Sequence, residues 1–174
     1  MLIYKLLSLL LEYPSRELHN HFEEMVEQVR SLPDIPLADT KILETFISWA
    51  RSLSLLEHQQ EYVRTFDLSP DNALYLTHHL FEEQDRERGP TLVELSEFFT
   101  SEGFEITGSE LPDYLPLVLE YVSTLSDKAS ACLFLRDSAQ VCEKIANNLE
   151  SMNSPYAPLL RIIERHGRLT EIAA

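Results

Sequence analysis

Apolar residues recur with helical spacing along almost all of this chain. No segment sustains the two-residue alternation of a half-buried strand or carries a hairpin turn such as Asn-Gly. Leu18, Phe22, Met25, Val26 and Val29 fall at i, i+4, i+7, i+8 and i+11, one stripe on a helix of about 3.6 residues per turn. Ile42, Leu43, Phe46, Ile47, Ala50 and Leu53 repeat the pattern with Trp49 beside them, as do Leu115, Val118, Leu119 and Val122, and later Leu159, Leu160, Ile162 and Ile163. Such stripes are buried only by packing helix on helix. The expected fold is therefore all-α, a single bundle of about seven to nine helices forming one domain over residues 1–174, with no repeat at solenoid spacing.

Local punctuation divides the stripes. Ser15 after Pro14 is a candidate N-cap, and Leu32-Pro33-Asp34-Ile35-Pro36 ends the helix that follows. Asp39 is the expected cap of the next helix, and Ser54-Leu55-Leu56-Glu57 has the capping-box form for another running to about Phe66. Ser69-Pro70 predicts a helix through Leu74, Leu76 and Leu80, and Gly89-Pro90 an interruption before Leu92. Gly103 and Gly108 bracket a loop. Leu111-Pro112-Asp113 is expected to start a helix that tolerates Pro116 in its first turn, Asp127 to Met152 one long helix or two, and Ser154-Pro155 to precede the last.

Charge narrows the partners. The formal net charge is −15, which argues against a phosphate-backbone ligand and hence against nucleic acid, and favours a cationic or neutral partner. The simplest role of that excess is solubility. Cys132 and Cys142 are ten residues apart with no second pair, so neither a zinc site nor a disulfide framework is expected. The apolar run Leu2–Leu11 lacks a basic flank, a cleavage site and spanning length, and reads as a core helix of a cytoplasmic protein with no direct membrane insertion.

Catalytic signatures are missing. The chain has no Glu-x-x-His, His-Glu-x-x-His, Gly-x-Ser-x-Gly, P-loop or Gly-x-Gly-x-x-Gly pattern. Adjacent His78 and His79 diverge by about 100° on a helix, which disfavours a shared metal; a metal-dependent enzyme using His78, His79 and Asp85 stays as an alternative. No cofactor is expected. Asp85-Arg86-Glu87-Arg88-Gly89 alternates in charge, either as a solvated turn or as the rim of a groove. In Glu110-Leu111-Pro112-Asp113-Tyr114-Leu115-Pro116, two prolines stiffen the backbone around an acidic residue that either favours a helix dipole or meets a ligand. Phe66, Tyr75, Phe81, Phe98, Phe99, Tyr114 and Tyr121 crowd the same region. Aromatic residues are more often core than surface, yet an apolar groove rimmed by carboxylates would accept an amphipathic helix bearing basic residues.

At these residues the chain resembles the NarJ-type assembly chaperones of respiratory nitrate reductase, within the TorD/DmsD-like redox-enzyme maturation family. The matching segments are Glu61-Tyr62 with Phe66-Asp67; Arg86-Glu87-Arg88-Gly89 leading to Leu92-Val93-Glu94-Leu95; Glu110-Leu111-Pro112-Asp113-Tyr114-Leu115-Pro116-Leu117; and the opening Leu9-Leu10-Leu11-Glu12-Tyr13-Pro14. Glu82-Glu83 stand where many members have a glycine. The resemblance implies a non-enzymatic cytoplasmic chaperone. Its client would be the N-terminal segment of the nitrate reductase alpha subunit, held for molybdenum cofactor insertion before membrane docking, with the chaperone a monomer or weak homodimer. On this reading Tyr62, Phe66, Leu76, Phe81 and Leu115 form the apolar side of one peptide groove. Asp67, Glu110 and Asp113 address peptide cations, and Arg86 and Arg88 hold the intervening loop. The alternatives are a chaperone of another molybdoenzyme of the class, or a plain helical interaction or oligomerisation domain.

Overall fold

The computed structural model describes residues 1–32, 35–81 and 86–172, with side chains as far as residue 169. Among the described residues there are ten α-helices: α1 (Leu2–Leu11), α2 (Arg16–Asn20), α3 (Phe22–Ser31), α4 (Leu37–Ser52), α5 (Leu55–Tyr62), α6 (Leu76–Leu80), α7 (Arg88–Ser101), α8 (Leu115–Thr124), α9 (Lys128–Ser151) and α10 (Ala157–Ile172). A π-helical turn (Val63–Asp67) prolongs α5, and a 3-10 turn (Pro70–Asn72) follows. The all-α expectation is met.

The longest pair, α9 and α10, forms the spine. Leu135, Ile145 and Leu149 of α9 are enclosed against Leu159, Leu160, Ile162 and Ile163 of α10, and each such side chain contributes about 1.5–3 kcal/mol by leaving water. The helices approach closely at Gly167, where a Cβ would lie 2.5 Å from the Leu135 carbonyl oxygen and 3.0 Å from the Ala139 Cβ. The apolar face of α1 packs on α8, and α3 packs on α4.

Several starts follow the local signals. Ser15 accepts from the Leu18 amide at 3.0 Å, Ser54 and Glu57 form the reciprocal capping box, and Asp127 accepts from Ser130 at 2.8 Å to open α9 as one helix. Pro116 sits in the first turn of α8. Other expectations are corrected. The Leu18–Val29 stripe is split at His21 into α2 and α3. Gly89 and Pro90 lie inside the first turn of α7, where proline costs no hydrogen bond, instead of interrupting the chain. The helix expected from Ser69-Pro70 through Leu80 breaks into the 3-10 turn and α6. Asn72, the last residue of the 3-10 turn, is buried and donates to the Thr65 carbonyl at 3.1 Å. The helix expected at Leu111 begins at Leu115.

Asp39 does not cap α4. Pro36 takes that position, while Asp39 is 2% exposed, accepting from Arg165 and from His166 Nε2 at 3.1 Å. His166 Nδ1 lies 3.1 Å from the Tyr4 hydroxyl, so the network joins α4, α10 and α1. Burial pushes the Asp39 carboxyl up, but the hydrogen bonds from His166 and Arg165 outweigh it and hold it below the usual range. A second enclosed histidine, His58, stands among Phe22, Phe46, Trp49 and Tyr156. Burial, with neighbouring His19 next, lowers it to about 4.

Two outcomes follow for stability. Gly167→Ala should cost roughly 1–3 kcal/mol in denaturant unfolding, because the added methyl meets backbone. Between about pH 6.5 and 4 the unfolded chain protonates His58 while the folded protein does not, so stability should fall as pH drops through that window. Asp39 adds its own loss only below its ordinary carboxylate range. Denaturant midpoints of the native protein and of His58→Gln, measured across the window, should show the shallower slope in the variant, and identical slopes would refute the assignment.

Candidate functional site

Two stretches outside the helices meet between α6 and α8. The Leu76 amide donates to the Asp113 carbonyl at 3.1 Å and the Leu115 amide to the Leu74 carbonyl at 2.8 Å. Tyr75 and Tyr114 are thereby paired as an isolated antiparallel bridge, with rings 5.3 Å apart. Asp113, 1% exposed, accepts at Oδ2 from the Thr77 amide at 2.9 Å and the Thr77 hydroxyl at 2.6 Å. It thus caps α6 from a distant part of the chain, a service that the local N-cap residue, Tyr75, does not provide. Arg88 Nε donates to the Thr77 hydroxyl oxygen at 3.0 Å and ties the start of α7 to the same strut.

A cavity of about 500 Å³ lies on one side of the strut, lined by Tyr13, Tyr62, Phe66, Asp67, Tyr75, His78, Glu110 and Tyr114 among others. The π-helical turn brings Phe66 and Asp67 to it, closed by a hydrogen bond from the Leu68 amide to the Val63 carbonyl at 3.0 Å. The Tyr62 hydroxyl donates to the Leu11 carbonyl at 3.2 Å and lies 2.8 Å from the Tyr114 hydroxyl. Tyr75 donates to Glu110 at 2.5 Å. Burial and then Glu110 raise the Asp67 carboxyl. Burial, then repulsion from Glu120 and Glu110, raises Glu12 next to Tyr13, Lys5 opposing. Among the described residues neither Asp67 nor Glu110 forms an ion pair with a cation. The cavity is an aromatic recess with uncompensated negative charge, suited to a guanidinium or ammonium group.

A second cavity, of about 630 Å³, lies on the other side, lined by Leu76, Thr77, Leu80, Leu95, Asp113, Val118, Tyr121, Leu133 and Phe134 among others. The expected single groove is therefore divided. Tyr62, Phe66, Asp67 and Glu110 share the first cavity, and Leu76 and Asp113 the second. Leu115 is fully enclosed, and Asp113 stands inside the protein as a bracket and not on a rim. Phe81 is half-buried at the end of α6 and lines neither cavity. Arg88 holds the strut as expected of a loop-organising residue, whereas Arg86 is exposed. Tyr13, Tyr75 and Tyr114 join the first cavity without having been assigned to the groove from the sequence, although Tyr13 stood in the Glu12-Tyr13-Pro14 signature and Tyr75 and Tyr114 in the aromatic cluster; His78, expected only in the alternative metal site, lines it too.

His78 and His79 turn to different cavities, and His79 Nε2 lies 2.7 Å from the Ala73 carbonyl oxygen. Asp85 lies outside the described residues, as do Glu82 and Glu83. Among the described residues no group of three His, Cys, Asp or Glu side chains could hold a metal ion, and no helix is long and apolar enough to cross a membrane.

A family model described as nitrate reductase delta subunit matches residues 32–161. The chain is 32% identical over 158 residues to the nitrate reductase molybdenum cofactor assembly chaperone NarJ of Escherichia coli (strain K12), covering 91% of this chain and 66% of that protein. It is 33% identical over 162 residues to the probable nitrate reductase molybdenum cofactor assembly chaperone NarJ of Bacillus subtilis (strain 168), covering 92% of this chain and 85% of that protein. A nitrate reductase-like protein NarX of Mycobacterium tuberculosis (strain ATCC 25618 / H37Rv) is 28% identical over 165 residues, which make up 24% of its length.

The strut yields a graded expectation. Asp113→Ala strands the buried Thr77 donors and should lower stability by roughly 2–4 kcal/mol, whereas Asp113→Asn keeps an acceptor and should cost about 1 kcal/mol. Chemical denaturation of both variants checks this, and equal costs would mean that the cap is not the stabilising element.

Proposed function

We propose a client-binding role for this chain, which belongs to the nitrate reductase delta subunit family: it is a cytoplasmic, non-catalytic chaperone of nitrate reductase assembly. It binds the N-terminal segment of the alpha subunit and keeps the apoenzyme open for molybdenum cofactor insertion before membrane docking. The observation that carries this reading is the aromatic recess, in which Asp67 and Glu110 repel each other without a neighbouring cation. A basic side chain of the client enters there, flanked by the tyrosine rings, and relieves that repulsion. Its neighbours lie toward Tyr13 and Glu12, where negative charge also accumulates. The relatives' names, which describe assembly chaperones of nitrate reductase, support the same client class.

Calorimetric titration with a synthetic peptide from the N-terminus of the cognate catalytic subunit, at two salt concentrations, tests this. Binding should weaken with salt, and Asp67→Asn combined with Glu110→Gln should weaken it about tenfold or more and flatten the salt dependence. Unchanged affinity and salt dependence in that variant would remove the recess from the site. Absence of binding, with binding instead to the corresponding segment of another molybdoenzyme, would reassign the client.

A further inference from the structure

The π-helical turn that carries Phe66 and Asp67 to the tyrosine recess is closed at its end by side chains. In a π turn each carbonyl is answered by the amide five residues on, and the Leu68 amide does this for Val63 at 3.0 Å. For the Thr65 carbonyl that position is residue 70, a proline, which has no N–H to give. Asn72 Nδ2 stands in for it, donating to the Thr65 carbonyl at 3.1 Å, and the Ser69 hydroxyl donates to the Arg64 carbonyl at 3.4 Å. The sequence Ser69-Pro70-Asp71-Asn72 thus removes a backbone donor and returns a side-chain one.

Asn72 is built for that role. It is 2% exposed, and its Nδ2 also lies 3.6 Å from the Met152 sulfur. Both neighbours are acceptors, which turns the nitrogen end of the amide toward them. The Oδ1 end is then buried without a partner, a cost that an apolar residue of the same size would avoid. Filling space does not account for an asparagine here; a donor aimed at the turn does. The 3-10 turn is fastened separately from behind, where Asn148 donates to the Asp71 carbonyl at 3.0 Å.

Register decides what the turn presents, because one residue of helix is about 100° of rotation. A π turn holds one residue more than an α turn. Relaxation to α spacing, with the Thr65 carbonyl turning to the Ser69 amide, changes by up to about that angle the direction in which Phe66 and Asp67 leave the helix.

We infer that Asn72 is a positioning residue of the recess: by supplying the donor that Pro70 lacks, it holds the π register and so keeps Asp67 in the cavity with Glu110, where a client cation meets both. This rests on the client reading given above. Asn72 does not line the cavity and acts through Asp67.

The test is a double-mutant cycle on the full chain, by calorimetric titration with the same N-terminal peptide at two salt concentrations, with amide hydrogen exchange read by NMR. Asn72→Leu, which keeps the volume and removes the donor, should weaken binding about tenfold and flatten its salt dependence. Added to Asp67→Asn, it should leave the salt slope where that variant sets it, because the charge it positions is gone. Asn148→Ala loosens the 3-10 turn without touching the π turn and should bind as the native protein does. Exchange at the Leu68 amide should rise about tenfold or more in Asn72→Leu and stay unchanged in Asn148→Ala. If Asn72→Leu unfolds more easily yet binds with native affinity and salt slope, or if it flattens the slope equally beside Asp67→Asn, Asn72 is a structural residue only and the inference is overturned. If the native protein binds no such peptide, the client reading falls by itself. The Leu68 exchange rate then decides the role of Asn72, and an unchanged rate in Asn72→Leu overturns it.

Discussion

The arrangement of both cavities depends on a short pairing in a protein otherwise made of helices. Residues 74–76 and 113–115 exchange two backbone hydrogen bonds across a long separation in sequence, and Asp113 caps α6 from the far side. A helical chain satisfies its backbone internally except at helix ends, where amides and carbonyls must find other partners or water. Here the end groups of two segments answer each other, so the approach of α6 to α8 is fixed by hydrogen bonds and not by apolar packing alone. Apolar contacts tolerate small slides; paired amides do not. That rigidity keeps Tyr75 beside Tyr114 and gives the recess its walls.

The spine of α9 and α10 supplies the stability that lets the strut exist. The close approach of the two helices at Gly167 has no room for a side chain, and Asp39 with Arg165, His166 and Tyr4 ties α4 and α1 to α10. A buried carboxylate is expensive unless its hydrogen bonds are supplied, and the Arg165 guanidinium and the His166 ring supply them at Asp39. The protein thus treats two enclosed acids differently. Asp39 is compensated by charge, while Asp113 is held by a neutral threonine and retains one free oxygen.

How much of this was legible follows from how local each signal is. Ser15, the Ser54-Glu57 box and Asp127 act within three residues and were read correctly as helix starts. The apolar stripes gave the fold class for the same reason. Asp39 looked like a cap because its partners lie on α10, more than a hundred residues away. The Ser69–Leu80 stretch looked like one helix because the pairing that breaks it comes from residues 113–115. Tyr62, Phe66, Asp67 and Glu110 were placed together from the sequence and share one cavity, but Leu115 and Asp113 were assigned to a surface when the strut encloses them. Sequence spacing identifies which residues are unusual; it does not say on which side of a wall they fall.

Under the proposed role, the net charge of −15 has a local meaning that composition alone could not supply. Exposed carboxylates spread over a surface repel weakly through water and salt. Those at the recess do not share that relief, since partial burial adds to the repulsion among Glu12, Glu110 and Asp67. That unfavourable energy is carried by the free protein and is removed when a cation enters, so it becomes part of the difference between a basic segment and a neutral one. Cation selectivity therefore needs no ion pair in the unbound protein, and a built-in lysine at the recess would abolish it.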